Sequence, residues 1–372
     1  MKIITLFSLL TIIALFNSCK NDLDALAPYK ESIVVYGLID PADSVNYIRV
    51  NRVFLGAGSA VDVAQIQDSV YFKPGEASVT LEKYWNGSLR QKYIFTETFE
   101  KPLEPGVFNT NQLIYKSTKK FKPDSLGRYF EYVLKVTNTK TSTVFESEKV
   151  KLIKDITVNP GNAMCTATLG LNCFFNQSNV SILTSSTAKT KVMFYTPTNC
   201  ASTSFKLRMH YRNLFLDNSE EKIYYEFDRG NLNAETANGG ELMDYTFPGV
   251  NFYSALSNGV PERSNLKERV IDSMTFHFYF AGNEYKLYQE INNTSGSFGQ
   301  EKPIYTNMKN GAIGVFSSRT KIVITKKMFD CSISPDFQNN IISNQTRDAI
   351  TTSPYTCRFK FRGPNCPINS GC

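Results

Sequence analysis

The chain has 372 residues, of which 42% are hydrophobic and 13% aromatic, and this composition excludes a disordered chain over most of its length. Lys and Arg (41) outnumber Asp and Glu (34), giving a formal net charge of +7, but the excess forms no basic run, so nucleic-acid binding is not indicated. Contact with an acidic surface polysaccharide stays open. The length exceeds one typical hydrophobic core, so we expect two domains.

The first nineteen residues have the layout of a secretory signal. Lys2 gives a positive start, residues 3–16 form an apolar run interrupted only by Thr and Ser, and Asn17-Ser18-Cys19 follows. The run is too short for a stable transmembrane helix. A Cys after a small residue at this point resembles a bacterial lipobox, which implies that residues 1–18 are removed and that Cys19 carries covalent lipid. The alternative is an ordinary signal peptide with an incidental Cys.

Residues 19–31 are expected to be the lipidated Cys and a polar tether. Two or three acyl chains on one Cys hold a protein on a membrane, because each buried CH₂ contributes about 0.8 kcal/mol. The sequence behind Cys19, Lys20-Asn21-Asp22-Leu23-Asp24, resembles the surface-export signal of Bacteroidetes lipoproteins. We therefore expect an outer-membrane, lipid-anchored protein that faces the cell surface. The alternative for these residues is a merely solvated tether.

The region 32–155 reads as one β-sandwich, immunoglobulin-like or transthyretin-like. Its runs alternate apolar and polar residues at sandwich spacing, and Asn86-Gly87 is a strong signal for a tight hairpin turn. Seven short strands are predicted, at residues 32–39, 47–55, 77–85, 88–99, 108–115, 127–137 and 143–153.

The region 156–372 reads as a larger β-rich domain with one or two short helices, after a boundary at Asn159-Pro160-Gly161-Asn162. Residues 229–268 are expected to be mostly loops, with a short helix near 251–257. A clear helix is predicted at 284–292, with Asn283 as its cap and Tyr285, Leu287, Tyr288 and Ile291 as its buried stripe. The tail from Ile333 should be loop-rich. Strands are predicted at 180–183, 191–195, 204–215, 222–227, 270–280, 311–318 and 321–324.

The cysteines beyond Cys19 all follow residue 160. They are Cys165, Cys173, Cys200, Cys331, Cys357, Cys366 and Cys372. Disulfides persist in exported proteins, and an odd number leaves at least one thiol free or paired elsewhere. Cys165 with Cys173 is a candidate for closing a local loop, and Cys357, Cys366 and Cys372 are candidates for tying the C-terminal tail. The intervals among these last three are too wide for a paired zinc-ligand pattern.

Two stretches resemble a domain-of-unknown-function family of Bacteroidetes outer-membrane lipoproteins. The first is 35–39 with 47–56, reading VYGLI and YIRVNRVFLG; the second is the helix 284–292 followed by 300–319, reading QEKPIYTNMKNGAIGVFSSR. The resemblance implies a cell-envelope lipoprotein, often encoded beside a TonB-dependent outer-membrane transporter. It implies no catalytic residues. Gly314 suits a close backbone approach or a bulge in the strand that follows, and Ser317, Ser318 and Arg319 form either a ligand site or a buried turn with satisfied side chains.

Catalytic and metal-binding patterns are not found in the sequence. The two histidines, His210 and His277, sit in strand patterns, so core or sheet-surface roles are favoured, and no G-x-S-x-G, H-E-x-x-H or phosphate-binding loop occurs. Residues 217–221 are better read as a solvated hairpin than as a calcium site. Trp85, beside the predicted turn, either stacks on a sugar or partner or packs across its hairpin. We expect no enzyme activity and no cofactor beyond the lipid.

Four short Asp-Ser-apolar patterns match an O-glycosylation pattern of exported Bacteroidetes proteins. They make Ser44, Ser69, Ser125 and Ser273 candidate modification sites.

The function predicted from these features is a non-enzymatic, surface-anchored lipoprotein that acts as a binding or accessory subunit of a TonB-dependent transport complex. Its partners would be the outer membrane, through the lipid, and an outer-membrane barrel; the sequence does not specify a ligand. The alternative is a structural subunit of an outer-membrane assembly or secretion machine. A hydrolase with a carboxylate-only site is a third reading.

The anchor can be tested directly. We expect Cys19→Ala to leave the chain uncleaved or soluble and without lipid, because the acceptor sulfur is gone. Palmitate labelling and membrane fractionation measure both effects. Continued palmitate uptake together with outer-membrane fractionation of the mutant would show that the lipobox assignment is wrong.

Overall fold

The computed structural model describes residues 31–53, 67–100, 112–125, 127–154, 168–170, 179–182, 184, 189–293, 304–334, 336, 338 and 341–367. The fold is mainly β with a large mixed sheet, which confirms the predicted fold class. None of the helices among these residues has the length and hydrophobicity needed to cross a bilayer.

Most of the described residues in the first half of the chain lie in strands. It contains β1 (Ile33–Ile39), β2 (Asn46–Arg52), the short helix α1 (Gln67–Val70), β3 (Ala77–Trp85), β4 (Ser88–Glu100), β5 (Gln112–Ser117), β6 (Asp124–Ser125), β7 (Arg128–Tyr129), β8 (Glu131–Asn138), β9 (Val144–Glu146) and β10 (Val150–Lys151).

The second half has longer strands and three longer helices among its described residues. It contains β11 (Thr168–Gly170), β12 (Lys189–Tyr195), β13 (Ser202–Phe215), β14 (Glu220–Asn233), β15 (Leu242–Pro248), α2 (Gly249–Gly259), β16 (Leu266–Ala281), α3 (Asn283–Asn293), β17 (Ile313–Met328), β18 (Ile341–Ile342), α4 (Asn344–Thr352), a 3₁₀ turn (Cys357–Phe359) and β19 (Phe361–Arg362).

One sheet runs through both halves, in the order β10-β8-β3-β4-β5-β2-β1-β17-β16-β13-β14. The strands β9, β18 and β19 pair with β8, β17 and β16, while β11-β12-β15 and β6-β7 form separate sheets. The halves meet where β1 and β17 pair in parallel, from Val34 opposite Ile313 to Ile39 opposite Ser318.

β17 is a single strand of 16 residues, although the sequence pattern predicts two separate strands here. Its first part pairs with β1, and its second part pairs with β16 from Arg319 to Lys327. The prediction of two strands is wrong because Arg319 and Thr320 provide no turn chemistry, and a regular alternation of exposed and buried residues begins at these two residues and runs on along the strand.

The first hydrophobic core lies between two groups of strands, β3 with β8 and β10 on one side, and β5 with β2 and β1 on the other. The strand β4 connects the two groups, because it pairs with β3 up to Phe95 and with β5 from Thr96 onward. The sides face each other closely: a Cβ atom added to Gly37 of β1 would lie 3.6 Å from Leu134 of β8. Met308, Ala312 and Phe316, from the second half of the chain, belong to this core.

The second core is rich in aromatic residues. Met274, Phe276, Phe278 and Phe280 of β16 are all buried on one face, as their alternation predicts. The ring of Phe194 in β12 lies 5.8 Å from that of Phe278 and 5.6 Å from that of Phe280, so the small sheet covers this face. Phe252 of α2 adds to the same cluster.

Two regions contain more regular structure than the sequence predicts: residues 229–268 and the tail from Ile333. Residues 229–268 are not mostly loop: β14 extends to Asn233, and β15 buries Met243, Tyr245 and Phe247 through period-2 alternation. The short helix expected within this region is present as α2. The tail also contains α4, whose first turn is capped by Ser343 accepting a hydrogen bond from the Thr346 amide.

Two glycines with positive φ provide a test of the junction between β1 and β17. A Cβ at Gly314 (φ +116°) would lie 2.0 Å from the Val35 carbonyl oxygen, so the close approach predicted there is confirmed. Gly87 (φ +73°), in the Asn86-Gly87 turn that the sequence predicts, has open space around it. We expect Gly87→Ala to lower the free energy of unfolding by about 1 kcal/mol and Gly314→Ala by more than about 3 kcal/mol. Urea unfolding of both variants measures this, and equal losses would contradict the close approach.

Candidate functional site

Two stretches of the chain, 35–39 with 47–53 and 284–292 with 304–319, are far apart in sequence but adjacent in the fold. Tyr36 of β1 lies beside α3, where its ring is 6.0 Å from that of Tyr288 and the two hydroxyl oxygens are 3.5 Å apart. The ring of Tyr285 lies 6.3 Å from that of Tyr288. The prediction that Tyr285, Leu287, Tyr288 and Ile291 form a buried stripe is wrong: no residue of α3 is buried, and these four side chains are half-buried at the surface.

A fourth tyrosine extends this surface across the sheet. Tyr36 lies opposite Arg49 of β2, so Tyr47, two residues earlier, is on the same face of the sheet. The Lys116 ammonium of β5 lies 5.5 Å from the centre of the Tyr47 ring. We call Tyr36, Tyr47, Tyr285 and Tyr288 the tyrosine face. The exposed fractions of Tyr36 (39%) and Tyr47 (42%) leave their rings open to a binding partner.

A shallow cavity of about 210 Å³ opens between the two exposed tyrosines and the loop that joins β1 to β2. Asp40 and Asp43 fix this loop, because their carboxylates accept hydrogen bonds from the amides of Ala42 and Val45. The cavity is lined by Tyr36, Leu38, Asp40, Asp43, Val45, Asn46, Tyr47 and Arg319.

Arg319 is the cation of this cavity. Its side chain is exposed, and it makes no ion pair or side-chain hydrogen bond with the other described residues. The two neighbouring residues of the predicted Ser-Ser-Arg site behave differently, because Ser317 and Ser318 are completely buried. Of the three candidates, only Arg319 can reach a ligand.

The buried serines hold the tyrosine face in place. Ser317 donates its hydroxyl hydrogen bond to the Glu284 carboxylate of α3 (2.7 Å), and Ser318 donates to the Ile39 carbonyl (3.2 Å). Burial raises the pKa of Glu284. Asn307 supports β17 from the other direction, since its amide group both donates to and accepts from the backbone of Phe316. Ser317 and Ser318 are thus buried with satisfied hydroxyls, as the buried-turn alternative predicts, but they lie within strand β17 and not in a turn.

The two histidines lie on the outer face of the second half of the sheet. The Oγ1 atom of Thr275 is 2.8 Å from Nε2 of His210 and 2.9 Å from Nε2 of His277. Burial and the charge of Arg208 lower the pKa of His277 to about 4, and the same two causes lower the pKa of His210. A Thr hydroxyl shared by two neutral imidazoles is a sheet-surface network, as the strand patterns favour.

The cysteine candidates are distributed as follows. Cys366 is bonded to Cys331, which ties the tail to the end of β17, and Cys357 is disulfide-bonded as well. Cys200 is a free thiol, and burial raises its pKa to about 12. Cys19, Cys165, Cys173 and Cys372 lie outside the described residues.

The four candidate glycosylation serines have different surroundings. Ser44 and Ser125 are exposed, the first in the loop beside the tyrosine-face cavity. Ser273 is half-buried within β16, opposite His210 and Lys327 on the neighbouring strands. Ser69 lies in α1, and its side chain is outside the described part of the chain. Hexose attachment at these residues stays a prediction.

Residues 217–221 contain the turn of the β13–β14 hairpin, where Asp217 accepts hydrogen bonds from the amide and hydroxyl of Ser219. Within the described ranges, no group of three or more His, Cys, Asp or Glu side chains is placed to hold a metal ion. Trp85 lies apart from the tyrosine face, at the end of β3, with two arginines against its ring.

The sequence did not predict the tyrosine face, although its four residues lie within 35–39, 47–56 and 284–292. Alternation can assign Tyr36 and Tyr47 to one face of a sheet, but their contact with α3 depends on the pairing of β1 with β17. Comparison with known proteins adds no candidate site: no protein-family model matches the chain, and no curated protein is similar to it.

The histidine network predicts a pH dependence. The lowered pKa values mean that the unfolded chain binds protons before the folded chain does, so stability falls as the pH drops from about 6.5 to 4. We expect a loss of about 1–2 kcal/mol over this range, since solvent screens part of the effect. In His210→Gln/His277→Gln, which leaves no histidine in the chain, the loss should be much smaller. Urea unfolding at pH 7, 5.5 and 4.5 measures it; an equal loss in wild type and variant would refute the assignment.

Proposed function

We propose that the chain is a non-enzymatic, surface-anchored lipoprotein that serves as a binding or accessory subunit of a TonB-dependent outer-membrane transport complex, and that the tyrosine face is its contact surface. The observation that carries this proposal is the assembly of both recognised stretches into one exposed aromatic surface. Tyrosine side chains supply large, rigid contact area with a polar tip at low entropic cost, which is why they are enriched in interfaces.

The proposed anchor explains how a shallow surface can suffice. Residues 20–31 span at most about 40 Å when extended, at roughly 3.3–3.6 Å per residue. Lipid on Cys19 would therefore keep the first half of the fold near the membrane and near any neighbouring barrel. A tethered module meets its partner at high effective concentration, so weak contacts are enough for lasting association.

The arrangement of charged residues around the tyrosine face is that of a protein-binding surface rather than a catalytic site. Arg319 and Lys116 lie at the border of the aromatic rings, while Asp40 and Asp43 are engaged by the amides of their own loop. Aromatic residues with charged residues around them are typical of an interface with a polar rim. The buried serines are held by Glu284 and by backbone groups, and so they support the surface rather than act as nucleophiles.

We also propose a specific fold for the first half of the chain. We take β1–β10 with the first part of β17 to be an immunoglobulin-like or transthyretin-like sandwich. The packing of Leu134 near Gly37, across from β8 to β1, supports two facing layers.

A co-purification experiment tests the proposal. Full-length protein is captured from detergent-solubilised outer membranes, and the proteins bound to it are identified by mass spectrometry. We expect a TonB-dependent barrel to be recovered with the wild type and at least about tenfold less with Tyr36→Ala/Tyr47→Ala, because the variant loses two exposed anchors. Tyr224→Ala/Tyr355→Ala is the matched control, since these tyrosines are similarly exposed (49% and 40%) on other surfaces.

The possible results separate the alternatives. Recovery of assembly or secretion subunits in place of a transporter would favour the structural-subunit alternative. If both double variants lose the barrel equally, the tyrosine face is not the contact surface. The same conclusion follows if the wild type and both variants recover equal amounts of the barrel.

A further inference from the structure

A second cavity, of about 230 Å³, lies at the far end of the β3–β4 hairpin, beside the β6–β7 turn. It is separate from the tyrosine face, which is built on β1, β2 and α3. We call it the tryptophan cleft. Its lining combines three cations, two aromatic rings and one hydroxyl: Lys83, Trp85, Arg90, Ser125, Arg128 and Phe130.

Two arginines lie against the single tryptophan of the chain. The guanidinium carbon of Arg90 is 4.8 Å from the centre of the Trp85 ring, and that of Arg128 is 4.6 Å from it. Both distances are within the range of cation–π attraction. The indole thus positions two exposed guanidinium groups whose N–H donors stay available.

A lysine completes the positive lining. The Lys83 ammonium lies 4.5 Å from the centre of the Phe130 ring and 6.0 Å from that of Tyr93. Burial and the charge of Lys122 lower the pKa of Lys83.

No carboxylate compensates these cations among the described residues. Lys83, Arg90 and Arg128 form no ion pair there, and the six lining residues include neither Asp nor Glu. The acids next to lining residues in sequence pair with other lysines: Glu82 with Lys92 (2.8 Å) and Lys135 (3.0 Å), Asp124 with Lys154 (2.8 Å), and Glu131 with Lys149 (3.0 Å). Elsewhere on the protein, clustered cations have partners, as Lys206 and Arg208 have in Glu226. The tryptophan cleft therefore has an uncompensated positive charge.

We propose that the tryptophan cleft binds an acidic sugar residue of a polysaccharide, with the two guanidinium groups and the Lys83 ammonium around the carboxylate or sulfate. Guanidinium groups bind such planar or tetrahedral anions through two N–H donors at once. Ser125 offers a hydroxyl to the sugar, while the rings of Trp85 and Phe130 hold the three cations in position around the anion.

The shape of the cleft favours a sugar over other polyanions. Nucleic acid is bound by basic grooves that follow a long stretch of phosphates, whereas these cations surround one cavity of about the size of a single ring. The aromatic residues are half-buried walls of a cavity and do not project as a membrane-inserting wedge would. This inference does not depend on the transporter partnership proposed above.

Binding measurements on the full-length protein in detergent micelles test the proposal. The probes are polygalacturonate, which carries carboxylates, dextran sulfate, which carries sulfates, neutral dextran, and poly(dT) as a polyanion without sugar acids. We expect at least about tenfold tighter binding to one or both acidic polysaccharides than to neutral dextran, with affinity falling as salt increases. Binding to polygalacturonate alone or to dextran sulfate alone supports the proposal and identifies the anionic group.

Variants locate the binding. We expect Arg90→Gln/Arg128→Gln to weaken binding of the acidic polysaccharide at least about tenfold, whereas Lys267→Gln/Lys309→Gln, with the same change of charge on two exposed lysines elsewhere, changes it less than about twofold. Both arginines are exposed, so the variant should fold, and its urea unfolding curve checks this. Trp85→Leu should weaken binding while leaving the net charge unchanged.

Several results would overturn the proposal. They are binding to neutral dextran as strong as to the acidic polymers, binding to poly(dT) at least as strong as to both acidic polysaccharides, equal loss in the two double variants, or no binding of either acidic polymer. Unchanged affinity in Trp85→Leu would also overturn it, because charge alone would then account for retention.

Discussion

Six residue pairs join β1 to β17 in parallel, although 279 residues separate Ser318 from the Ile39 carbonyl that accepts its hydrogen bond. The strands can approach this closely because Gly314 has no side chain to meet Val35. Through this ladder Phe316 enters the first core, and α3 comes to lie beside Tyr36. The first core and the tyrosine face thus depend on the same contact.

Surfaces of the protein differ in how their charges are balanced. On the outer face of the second half, Lys206 and Arg208 have their charges balanced by Glu226, and the histidines share Thr275. The first half balances charge in the same way at Glu82, which pairs with Lys92 and Lys135. At the tryptophan cleft, by contrast, Arg90 and Arg128 rely on an aromatic ring, which attracts cations but leaves their charge in place.

Local patterns in the sequence were enough for the elements that depend on local physics. The strands β1 and β2, the Asn86-Gly87 turn and α3 follow from alternation, turn chemistry and helical periodicity, and the close approach at Gly314 was also anticipated. The partnership of β1 with β17 was not, because no local signal specifies which strand a buried strand will join. The same limit applies to the candidate sites: Arg128 reaches Trp85 only through tertiary folding, and Arg90, although it lies just across the hairpin turn, occupies a β-bulge that the turn signal does not predict.

The assignment of Met308, Ala312 and Phe316 to the first core has a consequence for the order in which the chain is made. Residues 33–152 leave the ribosome well before the segment that completes their core, so the early product has an open strand edge at β1 and an incomplete apolar interior. Such an intermediate is exposed to wrong strand pairing until β17 has been made and has paired with β1.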